Sequence, residues 1–284
     1  MIDIIIPCYN AHSTIEKTLN SIIIQNIKDK VKVLLVDDAS NKNYESIVDK
    51  YKEYIDISLL TLKENVGPGI AREKGIKYTK SKYIVFIDSD DLFMNAYSLE
   101  FLYNAIEEGY DLVASQQYNE KGDIYIVTSG DLHGKIYRRK YIEDNNIHFN
   151  NTRVHEDNYF NNYVYLSGAN FKKVEVCTYY YVYNEKSITN ADDLEIERLE
   201  IYFNNCKELV DIAKKNNYDQ PRLYSFLAIK YVYINKLYNE VSGEKKEKLD
   251  RIIEEYIPNF DKYRGLPYKG VIRKLIVDNY RLEK

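Results

Sequence analysis

The sequence predicts an α/β fold with a mostly parallel central sheet, followed by a small helical C-terminal subdomain. Up to Asp88, short apolar runs alternate with segments whose apolar residues recur at helical spacing. The apolar runs are nearly continuous, which is typical of strands that are buried on both faces of a parallel sheet. After about residue 190 the strand-like runs stop and helical periodicity remains.

The first part of the chain carries the alternation that predicts the sheet. Its predicted strands are residues 2–6, 31–36, 57–62 and 83–87. Its predicted helices are residues 13–26, 43–54 and 68–79. Ser13 or Thr14, followed by Glu16, is a typical start of a helix, and Pro68 suits the first turn of the third one. The order β-α-β-α-β-α-β predicts a parallel sheet with helices on both faces.

The remaining elements complete this domain and then add helices to it. The domain continues with a predicted helix at 97–108, strands at 111–116, 123–128 and 173–183, and a short element at 135–142 that begins a further helix. A loop over 145–158 leads into a helix from about residue 157. The C-terminal helices are predicted at 193–215, 221–240, 244–257 and 268–280. We therefore expect an α/β domain over residues 1–190 and a helical region over residues 191–284.

Composition and charge exclude several classes of protein. The 284 residues have an ordinary globular balance, and the net charge of −4 provides no overall basic field for nucleic acid. Three widely spaced cysteines predict neither a zinc site nor a disulfide framework. The N-terminus lacks the basic start of a signal peptide, and no window approaches the ~18 apolar residues of a membrane span. We expect a cytoplasmic protein, which could lie at the inner face of a membrane.

An acidic turn follows the fourth predicted strand in IVFIDSDD (84–91). Ligands of open α/β sheets bind beyond the carboxyl ends of the parallel strands, so this turn lies where a ligand is expected. Asp88 and Asp90 could face one divalent cation, and their hard oxygen ligands suit Mg²⁺ or Mn²⁺. A short D-x-D alone is a weak signal because acidic turns are common. Its position after a parallel strand strengthens the prediction of a metal site.

The other strand ends carry candidate ligand contacts. In LLVDDAS (34–40), Asp37 or Asp38 could accept hydrogen bonds from a nucleobase or a ribose, or could cap the next helix. In IIIPCYN (4–10), Tyr9 could stack on a base while Pro7 stiffens the strand exit. In NVGPGIAR (65–72), Arg72 lies about one helical turn beyond a tight turn and could reach a diphosphate, or could be an ordinary surface arginine.

Taken together in their order along the chain, the four blocks resemble the family 2 glycosyltransferases, whose nucleotide-binding α/β fold is called GT-A. The resemblance covers about residues 1–190. The family pattern has P-x-Y-N, then D-D-x-S, then N-x-G-x-x-x-A-R, then D-x-D-D, and this chain matches it at Pro7, Tyr9, Asn10, Asp37, Asp38, Ser40, Asn65, Gly67, Ala71, Arg72, Asp88, Asp90 and Asp91. Glu73 departs from the pattern, which commonly has Asn after the arginine.

Three later segments are also similar to the family. GKIYRRKYI (134–142) looks like its lysine-containing segment, with Lys135 as the matching lysine. The Glu156-Asp157 pair in RVHEDNYF looks like the family's acidic pair, which implies that Asp157 is the catalytic base. The stretch YYYVYNEKSIT (179–189) resembles its closing strand and Ser-Ile-Ser/Thr segment.

The resemblance implies inverting transfer of a sugar from a nucleotide sugar, by analogy a uridine diphosphate sugar, to an acceptor hydroxyl. A divalent cation, Mn²⁺ or Mg²⁺, would be held by Asp88 and Asp90 and would stabilise the departing diphosphate. Asp157 would take the proton of the acceptor hydroxyl. The implied nucleotide-sugar contacts are Pro7, Tyr9, Asn10, Asp38, Asn65, Arg72, Asp88, Ser89 and Lys135.

The sequence motifs do not decide which acceptor receives the sugar. A cell-surface glycan or teichoic-type polymer is favoured, and the alternatives are a protein, modified DNA, or a nucleotide-sugar-binding module without turnover. A nucleotidyltransferase would have a glycine-rich basic loop after the first strand, where this chain has PCYNAHST. The C-terminal tail is locally basic, which indicates either contact with an anionic membrane or polyanion, or a solvated helix face. The basic residues of the tail are Lys262, Arg264, Lys269, Arg273, Lys274, Arg281 and Lys284.

Overall fold

The computed structural model describes residues 1–119, 123–126, 130–183, 195–240, 242–256 and 260–282. The chain divides into two compact units, the first comprising residues 1–164 and 169–187 and the second residues 165–168 and 188–284. The predicted domain boundary at residue 190 lies outside the described residues and stays a prediction.

The described part of the first unit is built on one nine-stranded sheet. Its strands are β1 (Ile2–Cys8), β2 (Val31–Asp37), β3 (Asp56–Thr61), β4 (Tyr83–Phe86), β5 (Leu92–Phe93), β6 (Leu112–Asn119), β7 (Ile124–Ile126), β8 (Lys135–Arg138) and β9 (Phe171–Tyr181). Its helices are α1 (Ile15–Ile23), α2 (Glu45–Tyr51), α3 (Pro68–Tyr78), α4 (Ser98–Glu107), α5 (Arg139–Asp144) and α6 (Glu156–Leu166).

The order of strands across the sheet is β3-β2-β1-β4-β8-β6-β9-β5, with β7 paired to β6. The first four of these strands are parallel, as the alternation with helices predicts. Beyond them the sheet is mixed, because β8 runs antiparallel to both β4 and β6, while β6 and β9 are parallel. An antiparallel neighbour needs no crossover helix, and between β6 and β8 the described residues contain only β7.

Helices cover both faces of the parallel half, which confirms the predicted arrangement. Ile4 of β1 belongs to the same buried cluster as Leu19 of α1. Ile5 points to the other face and meets α3 at Gly75, where a Cβ atom would lie 2.5 Å from Ile5 Cγ2. Glycine therefore allows α3 to lie close to the sheet, so the N-terminus of this helix is held at the edge where β1 and β2 end.

Two parts of the sheet differ from the sequence prediction. The short element predicted at 135–142 is a strand, β8, followed directly by helix α5. The two-residue strand β5 was not predicted, because a pair of residues gives no periodic signal. The predicted strand at 173–183 is observed as β9, whereas residues 184–189 of the segment likened to Ser-Ile-Ser/Thr lie outside the described part of the chain.

The second unit is helical, as predicted. It contains α7 (Glu195–Lys215), α8 (Gln220–Glu240), α9 (Glu244–Tyr256) and α10 (Tyr268–Leu282). Their apolar faces are buried, for example at Leu209, Phe226 and Leu249. Among the described residues, no helix combines the length and the apolar character that crossing a bilayer requires.

Candidate functional site

The carboxyl ends of the parallel strands meet at one edge of the sheet, as the sequence predicts. Cys8 at the end of β1 is in register with Asp37 at the end of β2. Beyond the strands, the Asp38 backbone N–H donates to the Cys8 carbonyl at 2.8 Å, and the Ile87 N–H donates to the Ile5 carbonyl at 3.4 Å. Backbone pairing therefore brings the polar segments after β1, β2 and β4 side by side.

The exit of β1 is fixed by Asn10. Its backbone has a φ of 53°, in the left-handed region that asparagine tolerates better than most residues. Its N–H donates to Ser40 Oγ and its side-chain Oδ1 accepts from the Asn41 N–H, both at 2.9 Å. The neighbouring Pro7 is half-buried within β1, while the Tyr9 side chain is 55% exposed. Of these residues, Tyr9 presents a free aromatic surface at the edge.

The Asp38 carboxylate holds the loop that leads into α3. Its two oxygens accept the Val66 N–H at 2.8 Å and the Gly67 N–H at 2.9 Å, and Asn65 Nδ2 donates to the Asp38 carbonyl at 3.3 Å. Burial raises the pKa of Asp38, and the negative charge of Asp37 adds to this, although the two backbone hydrogen bonds oppose it. The structure therefore brings the predicted residues Asp38 and Asn65 together, and Asp38 anchors the α3 loop instead of capping α2.

Arg72 links two acidic elements that are distant in sequence. Its Nη2 lies 2.5 Å from Asp88 Oδ1, and its Nη1 lies 2.9 Å from Glu156 Oε1. Arg72 is 4% exposed, which excludes the alternative of an ordinary surface arginine. The two carboxylates raise its pKa against the opposing effect of burial, so the guanidinium stays charged. The end of β4 and the start of α6 are thus joined through one buried cation.

Glycine is required beside this bridge. A Cβ atom on Gly69 would lie 2.7 Å from Glu156 Cγ and 2.9 Å from Glu156 Cβ. Real Cβ atoms do not approach other atoms this closely, so a larger residue would push Glu156 away from Arg72. The second glycine of the NVGPG segment therefore permits the close approach of α3 and α6.

Asp88 also belongs to a cluster with Asp91 and His133. His133 Nε2 lies 3.4 Å from Asp88 Oδ2 and 4.0 Å from Asp91 Oδ2. Asp91 is 1% exposed and accepts hydrogen bonds from the Tyr179 hydroxyl at 2.6 Å and from the Val182 N–H at 2.8 Å. The ring of His133 stacks on that of Tyr179, with centroids 4.6 Å apart. The cluster therefore lies between the end of β4 and the end of β9.

Burial and mutual charge shift the titration of these groups. Burial alone would raise the pKa of Asp88, but Arg72 and His133 outweigh it and hold this pKa below its usual value. Burial raises the pKa of Asp91 to about 7, and the charge of Asp88 acts in the same direction. Burial lowers the pKa of His133, but the carboxylates of Asp88 and Asp91 outweigh burial and raise this pKa overall. The Asp88 carboxylate is therefore the charged centre of the cluster.

This cluster fits a divalent cation. One ligand atom each from Asp88, Asp91 and His133 lies within 4.8 Å of the others. Two carboxylates and an imidazole form a donor set that suits several divalent metals, Mn²⁺ among them. Ser89 and Asp90 occupy the turn between the two aspartates, which the Asp91 N–H closes by donating to the Asp88 carbonyl at 3.2 Å, and both side chains are partly exposed. Asp90, the second predicted ligand, therefore lies in the same turn, although it is not one of the three grouped side chains.

Asp157 stands at the start of α6, next to the Glu156 that pairs with Arg72. Its Oδ1 accepts the N–H of Asn158 at 2.6 Å. Burial raises the pKa of Asp157, against the opposing effects of this hydrogen bond and of the Arg72 charge. A carboxylate with a raised pKa is a better proton acceptor than an exposed one, which suits the predicted role of a general base.

Lys135 is placed differently from an ordinary ligand-binding lysine. It is 2% exposed at the start of β8, and its Nζ donates to the backbone carbonyl of Asp131. Burial lowers the pKa of Lys135 to about 7, although Asp131 and Asp157 oppose this shift. The lysine therefore holds the segment before β8 through the Asp131 carbonyl. Its contact with a nucleotide sugar stays a prediction.

Sequence reasoning missed three members of the site. Glu156 was recognised as part of an acidic pair but received no role, His133 received none, and Tyr179 was read as part of a strand. Only the matched D-x-D-D pattern pointed to Asp91. Because His133 and Tyr179 lie 42 or more positions from Asp91 along the chain, no local pattern relates them; the pairing of β6, β8 and β9 does.

Comparison with known proteins places this site in context. The model of the family described as "Glycosyl transferase family 2" matches residues 3–168. TarS of Staphylococcus aureus, named a poly(ribitol-phosphate) β-N-acetylglucosaminyltransferase, is 28% identical over 199 residues, which cover 63% of this chain and 35% of TarS. The chain thus spans about a third of TarS. TarP of the same organism, with the same enzyme name, is 25% identical over 290 residues, which cover 92% of this chain and 87% of TarP.

Solved structures share the fold. The crystal structure of TarS residues 1–349 in complex with UDP-GlcNAc covers 99% of this chain and is itself covered to 89%, with a TM-score of 0.78 and 23% identity. The mannosyltransferase PcManGT of Pyrobaculum calidifontis, in complex with GDP-Man and Mn²⁺, covers 99% of this chain and is covered to 79%, with a TM-score of 0.63 and 16% identity. The fold is therefore the one that these two proteins adopt.

Proposed function

The chain belongs to glycosyl transferase family 2, and we propose that it transfers N-acetylglucosamine or a related hexose from a UDP-sugar to a hydroxyl of a polyol-phosphate polymer of the teichoic type. Two relatives, TarS and TarP, are named for the transfer of N-acetylglucosamine to poly(ribitol-phosphate), and a structure of TarS contains UDP-GlcNAc. Their names support both the donor and the acceptor of this proposal.

The observation that carries the proposal is the Arg72 bridge. A single buried cation joins Asp88 at the strand end to Glu156 at the start of α6. The bridge places the acidic turn and the Asp157 carboxylate around the same guanidinium. A donor diphosphate and a proton acceptor are both needed for glycosyl transfer, and this arrangement supplies a place for each.

In the proposed reaction the acceptor hydroxyl oxygen attacks the anomeric carbon from the face opposite the leaving group. A new glycosidic bond forms as the bond between the sugar and the UDP oxygen breaks, so the anomeric configuration inverts. Asp157 takes the proton of the hydroxyl during attack, and the bonding electrons leave with UDP. The raised pKa of Asp157 favours this proton transfer over that of an exposed aspartate.

The remaining proposed roles concern the donor. Tyr9 stacks on the uracil ring and Asp38 recognises the nucleoside, supported by the loop that Asn65 and Asp38 hold together. Arg72 and Asp88 lie on the diphosphate side. The full set of proposed nucleotide-sugar contacts is Pro7, Tyr9, Asn10, Asp38, Asn65, Arg72, Asp88, Ser89 and Lys135.

We assign the divalent cation, Mn²⁺ or Mg²⁺, to Asp88 and Asp90. Asp90 lies two positions after Asp88 in the same turn and is partly exposed, as Asp88 is, which supports a cation shared by these two carboxylates. When bound, such a cation neutralises the charge that develops on the departing diphosphate. Asp91 and His133 then hold Asp88 in place.

The C-terminal tail suits a polyanionic acceptor. Lys262, Lys269 and Arg273 are exposed, whereas Arg264 pairs with Asp261 at 2.7 Å. The side chains of Arg281 and Lys284 lie outside the described part of the chain. Since a polyol-phosphate polymer carries one negative charge per repeat, we propose that these basic residues increase its local concentration. An anionic membrane surface is the alternative partner for the same residues.

The testing experiment is a transfer assay with a panel of UDP-sugars, Mn²⁺ or Mg²⁺, and unglycosylated poly(ribitol phosphate) as acceptor. Release of UDP together with an increase in polymer mass by one N-acetylhexosamine or hexose residue per modified repeat supports the proposal. The matched control is the Asp157→Asn variant, which should bind UDP-GlcNAc without turnover. If the protein binds the donor but releases no UDP in the presence of polymer, protein or DNA acceptors, it is a binding module. If UDP is released only with a protein or DNA acceptor, the proposed class of acceptor is wrong.

A further inference from the structure

Asn161 lies one helical turn after Asp157 on α6, and its side chain is buried, with 2% exposure. Its Nδ2 is within hydrogen-bonding distance of three backbone carbonyls, those of Asp131 at 2.8 Å and of Gly130 and Asp157 at 3.1 Å. A carbonyl oxygen only accepts, so the NH₂ end of the amide must face these groups. One side chain thus joins α6 to the backbone at residues 130 and 131.

The other end of the Asn161 amide is tied to the sheet. Its Oδ1 accepts the hydroxyl of Tyr137 at 2.6 Å. Tyr137 is fully buried in β8, where it is in register with Ile84 of β4 and with Leu112 of β6. The amide is therefore fixed from a central strand, and it transmits that position to α6 and to the segment before β8.

The segment from Gly130 to Gly134 carries His133 to the acidic turn. Its start abuts α6, because a Cβ atom on Gly130 would lie 2.4 Å from Asn158 Nδ2. The Asp131 carbonyl also accepts from Lys135 Nζ. His133 then reaches Asp88, with Nε2 and Oδ2 3.4 Å apart. Loss of the Asn161 amide would remove its hydrogen bonds to the Gly130 and Asp131 carbonyls, which join the start of this segment to α6.

We infer that Asn161 is a positioning residue that fixes the segment bearing His133 relative to the helix bearing Asp157. The inference rests on the proposed function in one respect, since it takes Asp157 as the catalytic base. Displacement of catalytic groups by about 1 Å can lower the rate by about 100-fold, so this buried amide has a large effect on turnover without touching either substrate.

The chain offers a matched control at the next position. Asn162 is the same residue type on the same helix and is equally buried, at 3% exposure. Its Nδ2 donates to the carbonyl and the Oδ1 of Asn158, both at 2.7 Å and both within α6. The Asn162→Ala variant therefore removes a buried amide from the helix but keeps the hydrogen bonds of Asn161 to Gly130 and Asp131.

The test compares Asn161→Ala, Asn162→Ala and Tyr137→Phe by two measurements. The first is the rate at which diethyl pyrocarbonate modifies His133, located by mass spectrometry with His12 as internal reference; it needs no enzymatic activity. We expect modification of His133 to be several-fold faster in Asn161→Ala and unchanged in Asn162→Ala. The second is sugar transfer, for which we expect kcat to fall about 10- to 100-fold in Asn161→Ala while the donor KM changes by less than about threefold.

The outcomes separate the inference from the proposed function. An unchanged modification rate in Asn161→Ala, or equal effects in Asn161→Ala and Asn162→Ala, would overturn the inference. Faster modification with an unaltered kcat would also overturn it. If the wild-type protein transfers no sugar, the proposed function fails, and the modification rates still decide whether Asn161 holds the segment. If Asn161→Ala does not fold, Tyr137→Phe removes only one hydroxyl from the same tether and should produce a smaller effect in the same direction.

Discussion

Arg72 and Glu156, 84 positions apart in the sequence, form a buried ion pair with Arg72 Nη1 2.9 Å from Glu156 Oε1. The same guanidinium reaches Asp88, so two helices, α3 and α6, and the end of β4 are joined by one side chain. Replacing Arg72 by alanine would remove the arginine partner of the almost fully buried Glu156 and leave Asp88 with His133. We expect Arg72→Ala to lower the free energy of unfolding by about 3–5 kcal/mol, as measured by urea denaturation.

The control for this prediction is an exposed ion pair, Lys140 with Asp144, whose Nζ and Oδ2 atoms are 2.9 Å apart. Solvent screens such a pair, so Lys140→Ala should leave the urea midpoint unchanged. A midpoint for Arg72→Ala equal to that of the wild type would contradict the assigned role of the bridge.

Removal of the proposed base should separate chemistry from binding. Asp157→Asn keeps the shape of the side chain but cannot take a proton from the acceptor. We expect the transfer rate to fall about 10²- to 10⁴-fold, with the affinity for UDP-GlcNAc, measured by calorimetry, close to that of the wild type. Asp144→Asn, at an exposed position, is the control and should retain full activity. If Asp157→Asn lost affinity for UDP-GlcNAc to the same extent as it lost transfer rate, Asp157 would not be the catalytic base.

The raised pKa of Asp157 predicts the acid side of the pH–rate profile. Transfer requires the unprotonated carboxylate, so the rate rises as the pH rises through this pKa. Burial is the first cause of the shift, and the acid limb of kcat/KM should therefore lie above the ordinary aspartate value of about 3.9. A limb at or below that value, measured with saturating metal, would argue that Asp157 is not the group that titrates.

Metal dependence should distinguish the two candidate sets of metal ligands, which have Asp88 in common. We expect a chelator to abolish transfer and Mn²⁺ or Mg²⁺ to restore it. If Asp88 and Asp90 hold the cation, Asp90→Asn should raise the metal concentration for half-maximal activity by at least about tenfold, and His133→Gln should change it less. The reverse order of the two effects would assign the cation to the cluster of Asp88, Asp91 and His133.

A buried lysine makes the helical unit sensitive to pH. Lys230 is 6% exposed, its Nζ lies 2.5 Å from the Tyr202 hydroxyl, and it faces the rings of Tyr202 and Phe226 at 4.5 and 4.7 Å. Burial lowers the pKa of Lys230. The unfolded chain, with a lysine pKa of about 10.5, then binds a proton that the folded chain binds less well, so this group destabilises the fold at neutral pH.

Replacing this lysine by an apolar residue of similar length should remove the penalty. We expect Lys230→Met to raise the free energy of unfolding at pH 7 by about 1 kcal/mol, or roughly 2–4 °C in Tm. The advantage over the wild type should shrink as the pH rises towards about 10.5, where the unfolded lysine also loses its proton. Lys214→Met, at an exposed position on α7, is the control. A constant difference between Lys230→Met and wild type across this pH range would show that the charge of Lys230 is not the cause.

Much of the fold follows from local patterns. Three of the four apolar runs are the largely buried strands β1, β2 and β4, whereas the third run is the partly exposed edge strand β3. The helical periods between the runs mark α1, α2 and α3. The short strand β5 and the direction of β8 could not be predicted in the same way. Two residues give no period, and the direction of a strand is set by the partners that it meets after the chain has folded.

The candidate site shows the same division. The sequence singled out Asp88, Arg72 and Asp157, because each follows a strand or opens a helix in a pattern typical of the family. It gave no role to Glu156 or to His133. A sequence motif relates residues that are close together in the chain. Glu156 and His133 instead contact residues from distant segments.

By itself, the sequence determined the parallel half of the sheet, the edge at which the polar strand ends meet, the helical C-terminal region and the family. These features depend on residues close together in the chain, through the hydrophobic period and the chemistry of strand ends. Tertiary structure alone decided that Asp38 anchors a loop, that Arg72 is buried between two carboxylates, and that Asn161 joins α6 to the segment bearing His133. Such pairings depend on packing between distant segments, where burial strengthens each charge and each hydrogen bond because water no longer competes for it.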